Sequence, residues 1–109
     1  MAGTGTEVGK TWVASGLARR LQSAGLTVAA RKPAQSDSPG TDEEETDAGR
    51  LAAATGATPG EVCPRHRWYP LAMAPPMAAD ALGREPVRVA DLAAETTWPP
   101  SVEVGLVET

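Results

Sequence analysis

The stretch Gly3-Thr4-Gly5-Thr6-Glu7-Val8-Gly9-Lys10-Thr11 lies at the front of the chain and is followed directly by a helical pattern. Glycine lets the backbone approach an anion closely, and the amides of residues 5–11 would point into one concavity at the positive end of the next helix. Lys10 would place a positive charge near the terminal phosphates, and the hydroxyl of Thr11 suits a Mg²⁺ that bridges them. The stretch predicts a phosphate-binding loop with nucleotide contacts at Gly5, Thr6, Glu7, Val8, Gly9, Lys10 and Thr11.

The spacing of this loop differs from the common pattern G-x-x-x-x-G-K-[ST]. Five residues separate Gly3 from Gly9, so the loop is one residue longer. The alternative interpretation is a glycine-rich turn that merely opens a helix. Because G-K-T after a loop rich in glycine and threonine is rare by chance, nucleotide binding is favoured over that alternative.

Composition excludes several classes of function. The chain has 109 residues and a net charge of -4, which gives no sign of a nucleic-acid surface. Cys63 is the only cysteine, so a disulfide framework or a cysteine metal site is not expected. No leader and no long apolar run is evident, so we expect neither secretion nor a membrane span, and a reducing cytoplasm is the predicted location.

Helical spacing predicts a first helix from Lys10 to Ala24, ended by Gly25. Its predicted apolar face consists of Val13, Leu17, Leu21 and Ala24. The apolar run Leu26–Ala30 predicts a buried parallel strand that ends in Arg31-Lys32-Pro33-Ala34-Gln35-Ser36. Ligands of open α/β sheets bind at the carboxyl ends of strands. We therefore expect Lys32 and Ser36 to project toward the phosphate loop, although an ordinary exposed lysine is an equal alternative.

Thr46 is predicted to be the N-cap of a short helix that is closed by Gly56. Asp47, in its first turn, either compensates the helix dipole or is a Mg²⁺ ligand beside Thr11. Composition alone favours the dipole.

The remaining segments are predicted more coarsely. Residues 57–70 are expected to be irregular, with a basic and aromatic cluster at 65–69 that covers the core edge rather than contacting a ligand. Prolines open a helix over residues 75–82, and a weak helix is predicted over 87–95. A final buried strand is expected over 102–107, with Glu108 at its carboxyl end.

Together these elements predict an α/β, P-loop NTPase-like three-layer fold with a parallel sheet. Only Met1 and Ala2 precede Gly3, too few for the strand that normally leads into a P-loop. We therefore expect residues 1–109 to form a single partial ATP-binding domain, with the first strand and the carboxyl-terminal half largely missing.

The chain resembles the dethiobiotin synthetase family, over about the amino-terminal half of a member. The likeness is carried by five motifs in the family's order: G-T-G-T-E-V-G-K-T at Gly3–Thr11, K-P-A-Q-S at Lys32–Ser36, T-D-A at Thr46–Ala48, Tyr69-Pro70, and L-V-E at Leu106–Glu108. The longer loop spacing is the family's own. Members are homodimers that use ATP, Mg²⁺ and CO₂ to close the ureido ring of dethiobiotin from 7,8-diaminononanoate, through a carbamate that is phosphorylated.

The resemblance implies a role for each matching residue. Lys10 would contact the β- and γ-phosphates, and Lys32 would bind the carbamate and stabilise the transferring phosphoryl group. Ser36 would contact the substrate. The implied Mg²⁺ ligands are Thr11, Asp47 and Glu108.

The chain departs from the family pattern at three positions. Gly5 stands where many members carry aspartate, Pro76 where histidine is common, and Thr109 where glycine usually follows the late glutamate. Two alternatives stay open: the ATP-binding part of a cobyrinate or cobyric acid amidating enzyme, and a non-catalytic nucleotide-binding fragment.

Overall fold

The computed structural model describes residues 7–108, with side chains from Thr11 onward. The helices are α1 (Glu7–Ser23), α2 (Asp47–Thr55), α3 (Pro59–Val62), α4 (Pro75–Ala81) and α5 (Val89–Glu95), with 3₁₀ turns at Glu43–Glu45 and Arg65–Arg67. The strands are β1 (Val28–Arg31), β2 (Gln35–Ser36), β3 (Trp68–Tyr69) and β4 (Val104–Val107). The predicted α/β class with parallel strands is confirmed.

Strands β1 and β4 form a parallel pair in which Val28 lies opposite Val104 and Arg31 opposite Val107. The backbone N–H of Glu108 continues the pairing by donating to the Arg31 carbonyl at 3.0 Å. Helix α2 packs on this pair and on α1. The resulting register brings the residues that follow the two strands to the same edge.

The core is built mainly from small side chains. Its central cluster consists of Ala30, Ala48, Leu51, Ala52, Val62 and Cys63. Alanine allows α1 and α2 to approach closely, because its side chain ends at Cβ. This packing agrees with a composition that lacks phenylalanine.

Helix α2 forms as the sequence predicts. The Thr46 hydroxyl accepts a hydrogen bond from the Gly49 N–H at 3.1 Å, which satisfies one of the free donors at the helix start. Gly56 ends the helix with φ of 75°, a left-handed conformation that glycine adopts readily. The predicted helices that became α4 and α5 are also present, the second beginning two residues later than expected.

Three predictions about the elements are wrong. Val13 and Leu17 on α1 are 40% and 45% exposed, and the buried face instead carries Thr11, Ser15 and Ala18. The helix turns these small residues inward because they fit against α2.

No helix within residues 7–108 is long and apolar enough to cross a bilayer.

The other two corrections concern residues 57–70 and the last strand. The segment expected to be irregular contains α3, capped by Thr58, and β3, which pairs in parallel with β2. Strand β4 begins at Val104 rather than 102 and is not fully buried, since its residues alternate between half-buried and exposed. Only one face of β4 is covered by the described part of the chain.

Candidate functional site

Lys32 and Glu108 each follow the last residue of a paired strand, and this placement brings their side chains together. The Lys32 Nζ lies 3.5 Å from the Glu108 Oε1, and both residues are buried. The Lys32 backbone N–H donates to the Val62 carbonyl at 2.8 Å, which fixes the chain where it leaves β1. Lys32 is only 6% exposed, so the alternative of an ordinary exposed lysine is wrong. The predicted projection of Lys32 toward the phosphate loop stays a prediction, because residues 3–6 of that loop lie outside the described residues.

Thr11 and Asp47 complete the group. The Thr11 hydroxyl, fully buried in α1, donates to the Glu108 Oε1 at 2.7 Å. The Asp47 Oδ2 lies 3.1 Å from the Lys32 Nζ. Hydroxyl, two carboxylates and ammonium therefore form one connected cluster that joins α1, β1, α2 and β4.

Asp47 is held in place by the start of helix α2 and by a contact from β2. The Ala48 N–H donates to the Gln35 Oε1 at 3.0 Å, in a buried environment. The Thr46 cap fixes the same turn on its other side. Asp47 is thus a first-turn carboxylate and also the partner of Lys32.

The electrostatics of Glu108 are those of a carboxylate removed from water. Burial raises the pKa of Glu108, while the Thr11 hydrogen bond and the Lys32 charge lower it. Its second oxygen, Oε2, is buried and has no hydrogen-bond partner among the described residues. An oxygen in this state is an available ligand for a hard cation.

No three His, Cys, Asp or Glu side chains come together as a metal site in the part of the chain that the structure describes. A Mg²⁺ here would take two carboxylates, the Thr11 hydroxyl, and oxygens from phosphates and water. Mg²⁺ bound to nucleotides characteristically has such a ligand set. The residues present therefore fit this cation.

A cavity of about 540 Å³ opens beside Lys32. Its polar side is lined by Lys32, Gln35, Ser36, Asp37, Glu45, Asp47 and Arg50, and its apolar side by Ala34, Ala72, Met73, Ala74 and Pro75. A ligand with a charged end and an aliphatic chain would match both sides. Ser36, predicted to contact substrate, lies on the polar side.

The predicted site is only partly within the described side chains. Five of the predicted residues are brought together or line the same cavity: Thr11, Lys32, Ser36, Asp47 and Glu108. Gly5 and Thr6, and the side chains of Glu7, Val8, Gly9 and Lys10, lie outside the described part, as does Thr109. Sequence reasoning overlooked Gln35 and Asp37, although both stand within or next to the K-P-A-Q-S motif.

The second cluster of interest, at residues 65–69, has a structural role. Arg67 is buried and donates to both carboxylate oxygens of Glu95 at 2.8 Å. The Trp68 Nε1 donates to the Cys63 carbonyl, also at 2.8 Å. These contacts join the cluster to α5 and to the core.

Comparison with known proteins places the chain in a family. A family model described as an AAA domain matches residues 1–108. An ATP-dependent dethiobiotin synthetase BioD of Mycobacterium tuberculosis is 40% identical over 83 residues, which cover 76% of this chain and 34% of the relative. The enzyme of that name from an Anaeromyxobacter species is 48% identical over 88 residues, covering 78% and 37%.

The enzyme of the same name from Methylobacterium nodulans is 36% identical over 100 residues, covering 86% of this chain and 44% of the relative. The chain thus spans between about a third and under a half of the length of these relatives. The resemblance to the dethiobiotin synthetases is confirmed, and the chain belongs to the P-loop family that the AAA-domain model describes.

Proposed function

We propose that this chain is part of an ATP- and Mg²⁺-dependent dethiobiotin synthetase, and that it binds the nucleotide phosphates and the carbamate of the substrate. The observation that supports this most is the buried Lys32, with its Nζ 3.1 Å from Asp47 and 3.5 Å from Glu108, at the carboxyl ends of two parallel strands. Burying an ammonium group is costly unless it is paired. A buried ammonium group that lines a cavity therefore indicates an electrostatic role, such as binding an anion.

The proposed reaction converts 7,8-diaminononanoate, CO₂ and ATP to dethiobiotin, ADP and phosphate. One amine takes up CO₂ to form a carbamate, and a carbamate oxygen takes the γ-phosphoryl group. The second amine then displaces phosphate and closes the ring. Phosphoryl transfer needs positioning and positive charge rather than a protein nucleophile.

Each site residue has a proposed part in this chemistry. The amides of Gly5–Thr11 and the Lys10 ammonium bind the nucleotide phosphates. Lys32 binds the carbamate and stabilises the charge that develops during transfer. Ser36 contacts the substrate.

Thr11, Asp47 and Glu108 are the proposed Mg²⁺ ligands, in agreement with the unpartnered Oε2 of Glu108. The bound cation would neutralise phosphate charge during transfer. Asp47 and Glu108 would then serve both this cation and Lys32.

The remaining parts of the proposal concern the molecule as a whole. Residues 1–109 would be a single partial domain of a three-layer P-loop fold, found in the cytoplasm and assembled as a homodimer in the complete enzyme. No nucleic acid or membrane partner is proposed.

The test uses the purified protein with MgATP, bicarbonate and 7,8-diaminononanoate, and measures ADP release. Lys32→Met should lower kcat by about a hundredfold, because a transition-state charge is lost, and should change the affinity for ATP little. Arg19→Met, which removes a positive charge from the exposed face of α1, is the matched control. Equal losses in kcat and ATP affinity would make Lys32 a structural residue.

The same assay separates the alternatives. ADP release that responds to glutamine and a corrin acid would indicate an amidating enzyme, which the names of the matched relatives do not favour. Nucleotide binding without any substrate-stimulated ADP release would indicate a nucleotide-binding module. Loss of nucleotide binding in Lys10→Ala is expected in every case.

A further inference from the structure

We propose that Asp37 binds the substrate amine that does not carry the carbamate, and thereby makes the site selective for a vicinal diamine. This inference rests on the proposed function. Asp37 follows directly after the K-P-A-Q-S motif and is not part of the resemblance.

Asp37 is fixed at the wall of the Lys32 cavity. Its backbone N–H donates to the Tyr69 carbonyl at 3.1 Å, which extends the β2–β3 pairing by one residue. The side chain is half-buried and lines the cavity together with Lys32 and Asp47. Within residues 11–108, its carboxylate has neither a hydrogen-bond donor nor a salt-bridge partner.

Gln35 and Ser36, whose side chains can donate hydrogen bonds, line the same cavity as Asp37. Gln35 is 2% exposed, and its Nε2 has no hydrogen-bond partner among the described residues, while its Oε1 is taken by the Ala48 N–H. The Ser36 Oγ is also buried without a described partner. Buried polar groups are normally paired, so these two point to a ligand with hydrogen-bonding atoms.

The arrangement is therefore two-sided. Lys32 offers a hydrogen-bond donor to an anion, with Gln35 and Ser36 beside it in the cavity lining, and Asp37 offers an acceptor to a neighbouring amine. A carbamate with an unreacted amine on the adjacent carbon has these two groups side by side. The apolar wall at residues 72–75 suits the alkyl chain that connects them to the rest of the substrate.

The electrostatic surroundings of Asp37 agree with this arrangement. Burial and the nearby Asp47 raise the pKa of Asp37, and Lys32 lowers it. The carboxylate is thus partly withdrawn from water, and its charge is incompletely compensated by the protein. An amine hydrogen bond in the cavity would supply the missing interaction.

The test measures binding directly by calorimetry, with a non-hydrolysable ATP analogue, Mg²⁺ and bicarbonate present. The probes are 7,8-diaminononanoate and the two monoamino acids that each lack one of its amines. Wild-type protein should bind the diamine more tightly than either monoamine. Asp37→Asn should reduce that preference by about tenfold, as expected for losing a hydrogen bond to a charged group.

Asp42→Asn is the matched control, because it removes an exposed carboxylate from the loop that follows Asp37, and Asp42 does not line the cavity. It should leave the preference unchanged, and both variants should bind the ATP analogue as wild type does. An unchanged preference in Asp37→Asn overturns the proposal, as does an equal loss in Asp42→Asn. If wild-type protein binds the ATP analogue but neither the diamine nor the monoamines, the proposed function itself fails, and the role of Asp37 fails with it.

Discussion

The thiol of Cys63 shows how strongly burial alone can change the chemistry of a residue. Cys63 is fully buried in the core, and its burial raises the pKa of the thiol to about 12, against a small opposing effect of Lys32. Since the thiolate is the reactive form, folded protein at pH 8 should resist iodoacetamide. We expect alkylation only after addition of denaturant, as followed by mass spectrometry; rapid labelling of native protein would contradict this core position.

Asp47 provides a second prediction for a single residue. Its carboxylate contacts Lys32 at 3.1 Å and is a proposed ligand of Mg²⁺. Asp47→Asn keeps the size of the side chain and removes the charge, so the Mg²⁺ concentration for half-maximal ADP release should rise by about tenfold. A variant that shows a lower melting temperature but an unchanged Mg²⁺ requirement would make Asp47 only a first-turn carboxylate.

At the scale of elements, the turn that leads into α2 leaves no room for a side chain at Gly49. A Cβ at that position would overlap the carbonyl of Glu43, which is backbone and cannot move aside easily. Gly49→Ala should therefore destabilise the protein by about 1–3 kcal/mol. Gly16→Ala is the control: its Cβ would meet nothing within 4 Å on α1, so the exchange should stabilise by about 0.5–1 kcal/mol. Denaturant unfolding measures both.

The elements also show what the sequence can and cannot predict. Helix α2 was predicted with its caps because Thr46 and Gly56 act on residues within one turn. The β2–β3 pair was missed, since two residues at positions 35–36 pair with two at 68–69 and no local pattern marks them. The prediction of the buried face of α1 was wrong, because helical spacing identifies an apolar stripe but not the surface against which the helix packs.

The candidate site follows the same division. The positions of Lys32 and Glu108 at one edge of the sheet follow from strand-like runs, because the carboxyl ends of parallel strands share an edge. The ligand role of Glu108 is implied only by the family resemblance. Gln35 and Asp37 could not be predicted, because their importance depends on α2 and on β3, which lie far along the chain. A motif thus identifies the residues at the centre of a site more readily than those that surround them.

On the scale of the whole molecule, segments far apart in the sequence are joined by a few polar contacts. The Arg31 Nε donates to the Thr97 carbonyl at 2.9 Å, and the Thr27 hydroxyl donates to the Ser101 carbonyl at 2.7 Å. Arg67 forms a hydrogen bond to Glu95, the last residue of α5. These bonds hold residues 95–108 against β1, and therefore hold Glu108 beside Lys32.

The Arg67–Glu95 pair makes the stability of the molecule depend on pH. The Arg67 hydrogen bonds, assisted by His66, lower the pKa of Glu95 from 4.5 to about 2, against an opposing effect of burial. Because the pKa is lower in the folded protein, the pair stabilises the fold above pH 4.5, and this contribution is lost as the pH falls toward 2. Glu95→Gln should therefore lower the melting temperature at pH 7, and the difference from wild type should shrink steadily below pH 4.5. Glu85→Gln removes an exposed carboxylate that forms no ion pair within the described residues, and it should show no such difference. A gap between wild type and Glu95→Gln that is the same at pH 7 and pH 2.5 would mean that Arg67 is held by packing and not by its charge.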